Sequence, residues 1–274
     1  MVAETQRSRW EVRNRIICFA RAIWYDLTEP IKLRFVREPC HQANPLISVV
    51  VPTFNRKTLL IERCLKSILA QTYKNFEVIV VAHGCTDGTA LAIRTYLPDP
   101  RIKVISIPRT ETYPPTLENH WFAGRVVPAN VGLAHVRGEW TATLDDDDRW
   151  LPDCLETLLR FAQVYDYEFV SAASENQNGK IEPYVVDGVK IGGIGTWLYR
   201  SYLGSFRFNP DCWRKDHDRV CDVDLQARFR KAGVRIGYLD KIVTRILPRP
   251  GETVVGLAAA RENRNTYMDH LKFR

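Results

Sequence analysis

From position 45 onward, short apolar runs alternate with stretches in which apolar residues recur every three or four positions. Residues 46–51 form a continuous β-branched run, the composition of a strand covered on both faces. Leu59, Leu60, Ile61, Leu65, Ile68 and Leu69 then mark a helix over 58–70. The same reading gives strands at 76–82, 102–107 and 140–144, and helices at 89–97, 130–136 and from near Pro152. This alternation predicts an α/β fold with a doubly wound, mostly parallel sheet flanked by helices. Beyond Tyr167 the rhythm loosens. A strand is expected at 168–173, a polar turn at 174–180, and a helix at 222–231 closed by Gly233.

Residues 1–44 read differently, as an N-terminal helical extension. Ile17, Ala20, Trp24, Leu27 and Ile31, with Ile16 and Ile23 beside them, trace an apolar helical stripe flanked by Arg13, Arg15 and Arg21. Such a stripe packs on the main domain or on a second subunit, giving a homodimer, or it lies in a membrane interface. Glu29-Pro30 and Glu38-Pro39 are expected breaks. After Pro248 a tail is expected to end in a charged helix to Arg274, packing on the sheet, closing over the site or meeting another subunit.

Composition narrows the class. The 274 residues are 45% hydrophobic and 26% charged, as in a folded soluble protein. No stretch approaches the ~20 apolar residues that span a bilayer. Arg7, Arg9, Glu11, Arg13 and Arg15 interrupt any signal-peptide core. The expected location is the cytoplasm, with peripheral contact at the inner membrane face left open. Seven scattered cysteines without a C-x-x-C pair read as reduced thiols, not as a disulfide framework or zinc site. A net charge of +7 favours an acidic partner: a nucleotide diphosphate, an anionic membrane surface or a phosphorylated acceptor. Without a basic run interleaved with aromatics, nucleic acid is not expected.

The chemistry concentrates at Asp145-Asp146-Asp147-Asp148, directly after the strand at 140–144. Like charges crowded at the end of a buried strand repel unless a cation sits among them. A hard divalent ion chooses oxygen ligands and, held by one or two carboxylates, keeps positions open for phosphate oxygens. A solvated acidic turn is the plainer alternative, but the apolar strand before it and Trp150-Leu151-Pro152 after it argue against one. Ligands of doubly wound sheets sit beyond the carboxyl ends of the strands, so 52–56, 83–88 and 145–148 are expected to converge. The glycines at 192, 193 and 195 lack the spacing of a phosphate loop.

Five segments in order resemble glycosyltransferase family 2, with the GT-A nucleotide-sugar fold: 48–56, 77–89, 130–139, 144–152 and 221–228. The resemblance covers roughly 46–240. It implies an inverting transfer from a nucleotide-diphospho-sugar to a hydroxyl acceptor, with a nucleotide-sugar-binding half over 45–165, an acceptor and catalytic half over 166–247, and a tail over 248–274. Pro52, Thr53 and Phe54 would cradle base and ribose. Asp145 and Asp147 would be the D-x-D element on Mn²⁺ or Mg²⁺, with Asp147 the direct ligand and Asp145 turned to the ribose or acting through water; Asp146 between them would border the nucleotide. Arg56 or Arg125 would add a phosphate contact, or serve as surface ion-pair partners. The base of an inverting transfer would be Asp222, with Asp224, Asp218 and His217 as competitors and a plain helix cap as the mundane alternative.

One departure matters. Where the family carries Asp-Asp-Gly-Ser after the second strand, this chain has Ala82-His83-Gly84-Cys85. The carboxylate that would accept uracil N3–H is missing, so His83 would stack on or hydrogen-bond to the base. UDP remains the expected donor nucleotide, with GDP or dTDP open. The acceptor is expected to be a carbohydrate, lipid-linked glycan or natural product, met by residues about 175–220. Trp197, Tyr199, Tyr202 and Trp213 there are stacking platforms or, more simply, core. Residues 108–127, with Pro114-Pro115 and Trp121-Phe122, suggest an ordered loop over the site. Two other classes stay open: a sugar-1-phosphate nucleotidyltransferase, although 52–56 lacks its glycine-rich basic loop, and a non-catalytic binding module derived from a transferase.

Overall fold

The computed structural model describes residues 2–38, 42–96, 98–110, 112–186, 188–214 and 221–265. The chain opens with the long helix α1 (Val2–Val36), then enters β1 (Ile47–Thr53). A continuous rod follows, α-helical in α2 (Lys57–Leu59) and α3 (Lys66–Leu69) and π-helical between them over Leu60–Leu65. β2 (Phe76–His83), α4 (Thr89–Tyr96) and β3 (Ile102–Ile107) continue the alternation. Both β1 and β2 are buried at every position, which is why their sequences are unbroken apolar runs. Successive strand side chains point to opposite faces, so one strand serves two cores. Val49 and Val51 pack with Leu60, Leu65 and Leu158, while Val50 packs with Val126, Ala129 and Leu133.

Two short helices, α5 (Leu117–Ala123) and α6 (Val126–Leu133), lead to β4 (Trp140–Thr143) and the two-residue β5 (Arg149–Trp150). The second half holds α7 (Cys154–Val164), β6 (Phe169–Asn176), β7 (Gly179–Ile181), the hairpin β8 (Tyr184–Val186) and β9 (Val189–Ile191), and β10 (Leu198–Arg200). It closes with α8 (Cys221–Ala232), β11 (Ile236–Arg245) and α9 (Gly256–Glu262). The main sheet runs β3-β2-β1-β4-β10-β6-β11-β5, with β7 paired to β6. β3, β2, β1 and β4 are mutually parallel, and so are β6 and β11; β10 runs antiparallel between β4 and β6. The sheet is thus mixed α/β and mostly parallel, with the carboxyl ends of β1, β2 and β4 side by side.

Four sequence expectations need correction. Residues 174–180 are not a plain turn: β6 continues to Asn176 and pairs with β7, so only the tip at 177–178 turns. The segment 108–127 contains the helix α5, whose start is capped by Thr116 Oγ1 accepting from Asn119 N at 3.1 Å. The helix near 130–136 begins earlier, at Val126. The break at Glu29-Pro30 does not occur, because α1 runs through Pro30 to Val36. Glu29, the residue before Pro30, is tied to Arg228 of α8, Nη1 to Oε1 at 2.6 Å, so a tertiary contact holds the helix at this point. The second expected break, at Pro39, lies outside the described residues, as do 266–274 of the expected tail helix.

The α1 stripe also faces the other way. Its buried positions are Asn14, Glu29 and Leu33, whereas Ile16, Ile23, Trp24, Leu27 and Ile31 are exposed. Polar contacts, rather than the apolar stripe, hold α1 to the domain. Arg214 donates to Asn14 Oδ1 at 2.8 Å, Arg21 pairs with Asp211 at 2.8 Å, and Lys231 pairs with Asp26 at 2.9 Å. Among the described residues no helix is long and apolar enough to cross a membrane.

Candidate active site

The three strand-end segments do converge, and hydrogen bonds lock them together. Asn55, with φ of 50°, adopts the left-handed conformation that Asn tolerates better than most residues. Its Oδ1 accepts from Thr86 N at 2.7 Å. Asp87 accepts from Lys57 N at 3.0 Å and from Thr89 N at 3.1 Å, so one carboxylate tethers the β2 loop to the rod and starts α4. Gly84, with φ of +68°, is required twice over: a Cβ there would sit 2.6 Å from Arg109 Cβ. Beyond these loops lies a cleft of about 390 Å³.

The acidic run enters the cleft as four carboxylates in four environments. Asp145 is the most open, with its side chain 40% exposed, and pairs with Arg125 at 3.0 Å. Asp146 is buried, accepting from Thr53 Oγ1 at 2.8 Å and Arg56 Nη1 at 2.9 Å. Asp147 is paired with Arg249 at 2.5 Å and with Arg56 at 3.6 Å. Burial pushes the Asp146 carboxyl up against the pull of Arg56. Burial acts the same way on Asp147, but Arg56 and Arg249 together outweigh it and hold that group below the usual range. Asp148 is pushed well above the usual range, first by burial and then by Asp147, Asp145 and Asp146. Ionising Asp148 beside its three acidic neighbours is therefore the costly step, one that a cation in the run would offset.

Arg125 stands between this run and Asp222. It is the residue before α6, and its Nε and Nη2 are buried without a hydrogen-bond partner among the described residues. Asp222 lies in the first turn of α8, 9% exposed, and lines the cleft. Its Oδ1 accepts from Val223 N at 2.9 Å. Burial raises its carboxyl, against the opposing pull of Arg125. Asp224 takes a different place, buried against Arg228 at 3.2 Å and away from the cleft lining. His217 and Asp218 lie outside the described residues.

The remaining expected residues border the same cleft. Pro52 and Phe54 form a wall, with the Arg109 guanidinium 3.8 Å from the Phe54 ring centroid. Thr53 lines the cleft too, but its hydroxyl is engaged by Asp146. His83 Nε2 accepts from Thr110 N at 2.9 Å. Burial, then Arg109, lowers the His83 ring to about 4, so at neutral pH it is uncharged and its proton sits on Nδ1. Of the aromatic residues on the acceptor side, read as core or as stacking platforms, Trp197 and Tyr199 are fully buried core, Trp213 is nearly so, and the half-buried Tyr202 donates to Glu168 at 2.6 Å.

Two contributors, Arg249 and His120, were not singled out in the sequence, and a third, the glycine cluster, was noted there only as lacking phosphate-loop spacing. Arg249 reaches Asp147 from 102 residues away, its segment pinned by Arg63, which donates to Leu247 O at 3.2 Å and Pro248 O at 2.8 Å. The position of Arg249 between two prolines was the available signal. His120 on α5 bonds Tyr113 Oη at 2.9 Å, and burial with nearby Arg109 lowers it to about 3. The glycines at 192–195 form part of the lining. A Cβ at Gly192 would lie 1.9 Å from Ala172 O, and the loop is held by Trp197 Nε1 donating to Gly192 O and Trp150 Nε1 to Gly195 O. Close backbone approach, not phosphate-loop spacing, explains this cluster.

A model of glycosyl transferase family 2 matches residues 48–114 and 123–232, which takes in the three strand ends, the acidic run and Asp222. The chain belongs to glycosyl transferase family 2. It is 32% identical over 148 residues to the GalNAc(5)-diNAcBac-PP-undecaprenol beta-1,3-glucosyltransferase of Campylobacter jejuni, covering 53% of this chain and 44% of that one. The chain spans less than half the length of the curated relatives it matches. Two solved structures share the GT-A fold. The mannosyltransferase PcManGT from Pyrobaculum calidifontis, in complex with GDP-Man and Mn²⁺, is 19% identical, with a TM-score of 0.57 over 96% of this chain and 74% of that one. S. aureus TarS in complex with UDP-GlcNAc is 20% identical, with a TM-score of 0.57 over 77% of this chain and 60% of that one.

Proposed function

We propose that this family 2 protein is a metal-dependent inverting glycosyltransferase that moves a sugar from a nucleotide-diphospho-sugar to the hydroxyl of a glycan, glycolipid or natural-product acceptor. The observation that carries the proposal is Arg125: a guanidinium whose buried Nε and Nη2 have no hydrogen-bond partner among the described residues, in the field of both Asp145 and Asp222. Buried donors without partners are costly, and a diphosphate satisfies them. Arg56 and Arg249 place two further cations on the same acidic run.

Asp222 takes the acceptor hydroxyl proton while that oxygen bonds to the anomeric carbon. The bond from that carbon to the diphosphate oxygen breaks, and the electron pair leaves with the diphosphate. Burial raises Asp222, which suits a base near neutral pH. Arg125 and Arg56 bind and orient the leaving diphosphate. The acidic run fits a hard cation: all its donors are oxygens, and the repulsion among its carboxyls that raises Asp148 is what a cation would relieve. Among the described residues no three His, Cys, Asp or Glu side chains are gathered as a metal group. One or two carboxylates plus phosphate oxygens suffice for Mg²⁺. Asp147 and Asp145 would hold Mn²⁺ or Mg²⁺, whose charge supplies Lewis-acid stabilisation to the departing diphosphate.

Uridine is the proposed donor nucleoside, with guanosine or thymidine next. With Nε2 committed to Thr110 N, His83 offers Nδ1–H, a donor suited to a base carbonyl oxygen rather than to N3–H. The test is release of nucleoside diphosphate from UDP-, GDP- and dTDP-sugars with Mn²⁺ present. Turnover with one of them that vanishes in Asp222→Asn supports the reading. Turnover retained in Asp222→Asn removes Asp222 as the base.

A further inference from the structure

Among the described residues, nothing packs on the outer face of α1. Over residues 12–36 the helix presents Ile16, Phe19, Ile23, Leu27, Ile31 and Phe35 to solvent, at steps of three and four residues. Phe19 is 70% and Phe35 85% exposed, and Trp24 beside the stripe is 65% exposed. Steps of three and four place side chains on one side of a helix, so this is a continuous apolar strip about 29 Å long from Ile16 to Phe35. Single exposed apolar residues are ordinary, whereas a strip of this extent marks a surface that another body covers.

Charge decides which body. The two acids of this stretch, Asp26 and Glu29, are both turned to α8, where Lys231 and Arg228 hold them. Arg13, Arg15 and Arg34 are exposed beside the strip. An apolar strip with a cationic border and an exposed Trp is complementary to an anionic bilayer surface: the rings enter the headgroup boundary and the guanidiniums meet lipid phosphates. α1 is not apolar enough to cross the bilayer. We propose that α1 docks the protein lengthwise on an anionic lipid bilayer, so that α8, which packs under α1 and carries Asp222, is held close to the membrane plane.

The test is sedimentation of the full chain with vesicles of phosphatidylcholine alone and of phosphatidylcholine with phosphatidylglycerol, with the oligomeric state measured by ultracentrifugation without lipid. The wild type is expected to co-sediment with the anionic vesicles and to stay largely in solution with the neutral ones. F19E/I23E is expected to lower the anionic-vesicle partition coefficient at least about tenfold, through lost apolar insertion. R13Q/R15Q/R34Q is expected to lower it by about fivefold per residue near the surface. Both variants should keep the melting temperature of the wild type, since none of these side chains is buried. Equal binding to both vesicle types, or binding untouched by F19E/I23E, overturns the proposal. So does a lipid-free dimer that F19E/I23E dissociates, which assigns the strip to a second copy of the chain.

Discussion

At the seam between α1 and α8, Arg228 bonds Glu29 at 2.6 Å, pairs with Asp224 at 3.2 Å, donates to Phe206 O at 3.1 Å and lies 4.2 Å from the Tyr25 ring centroid. In the cleft, Arg125 meets Asp145 at 3.0 Å and leaves its buried Nε and Nη2 without hydrogen-bond partners among the described residues, while Asp147, Asp145 and Asp146 oppose the ionisation of Asp148. Both places bury acids beside arginine. The seam sets each nitrogen of Arg228 against a protein group, Nε meeting Asp224 Oδ2 as an ion pair without a hydrogen bond, whereas in the cleft Nε and Nη2 of Arg125 meet no acceptor among the described residues. Perturbed, unfinished charge clusters in a cleft mark ligand sites; finished ones mark architecture.

The widest separation between the two regions comes from removing their acids. Asp222→Asn is expected to lower kcat by about a hundredfold to ten-thousandfold, the range for loss of a general base, with little change in KM and none in melting temperature. Asp147→Asn is expected to abolish metal-dependent turnover. At the seam, Arg228→Ala is expected to cost about 3–5 kcal/mol of stability, because Glu29 and Asp224 are left buried without their counter-ion. Denaturant unfolding checks this, and nucleotide binding to the folded fraction should be unchanged. If Arg228→Ala instead weakens nucleotide binding while stability holds, the contrast between seam and cleft fails.

How far each region could be read from sequence follows from the same physics. β1 and β2 were plain because burial on both faces demands an unbroken apolar run. The acidic run was plain because clustered carboxylates need a cation, whereas Asp222 came only from the family resemblance, beside Asp224, Asp218 and His217. The seam was hidden: α1 turns Asn14 and Glu29 inward and its apolar stripe outward, so hydrophobic periodicity marked the face turned away from the domain. Arg249 was hidden because a loop contact across 102 residues leaves no local periodicity. α5, seven residues long, gave only its Thr116 cap as a signal.

A smaller effect separates the regions by pH. Arg125→Lys keeps the charge and loses the planar fork, so it should weaken nucleoside diphosphate binding about tenfold while leaving stability near that of the wild type. For His83 and His120, lowered to about 4 and about 3, the stabilising contribution is present above about 6.5 and lost as pH falls through those values. Glu29, raised mainly by burial to about 7, runs the other way: its contribution is full below about 4.5 and lost as pH rises through about 7. Acidification from pH 7 to 5 therefore loads the cleft and relieves the seam. Glu29→Gln removes the relief, and its stability should fall more steeply over that interval, by up to about 2 kcal/mol. Parallel unfolding curves for wild type and Glu29→Gln would remove the seam from the pH response.

The most direct test of the cleft as a nucleotide-diphosphate site is a thermal-shift panel of UDP, GDP, dTDP and CDP, each with and without Mn²⁺, on wild type and Asp147→Asn. A nucleotide that binds only the folded chain raises its melting temperature. The account predicts stabilisation by one nucleotide, UDP first, that requires Mn²⁺ and disappears in Asp147→Asn. No metal-dependent shift with any of the four, or a shift that survives Asp147→Asn unchanged, would contradict it.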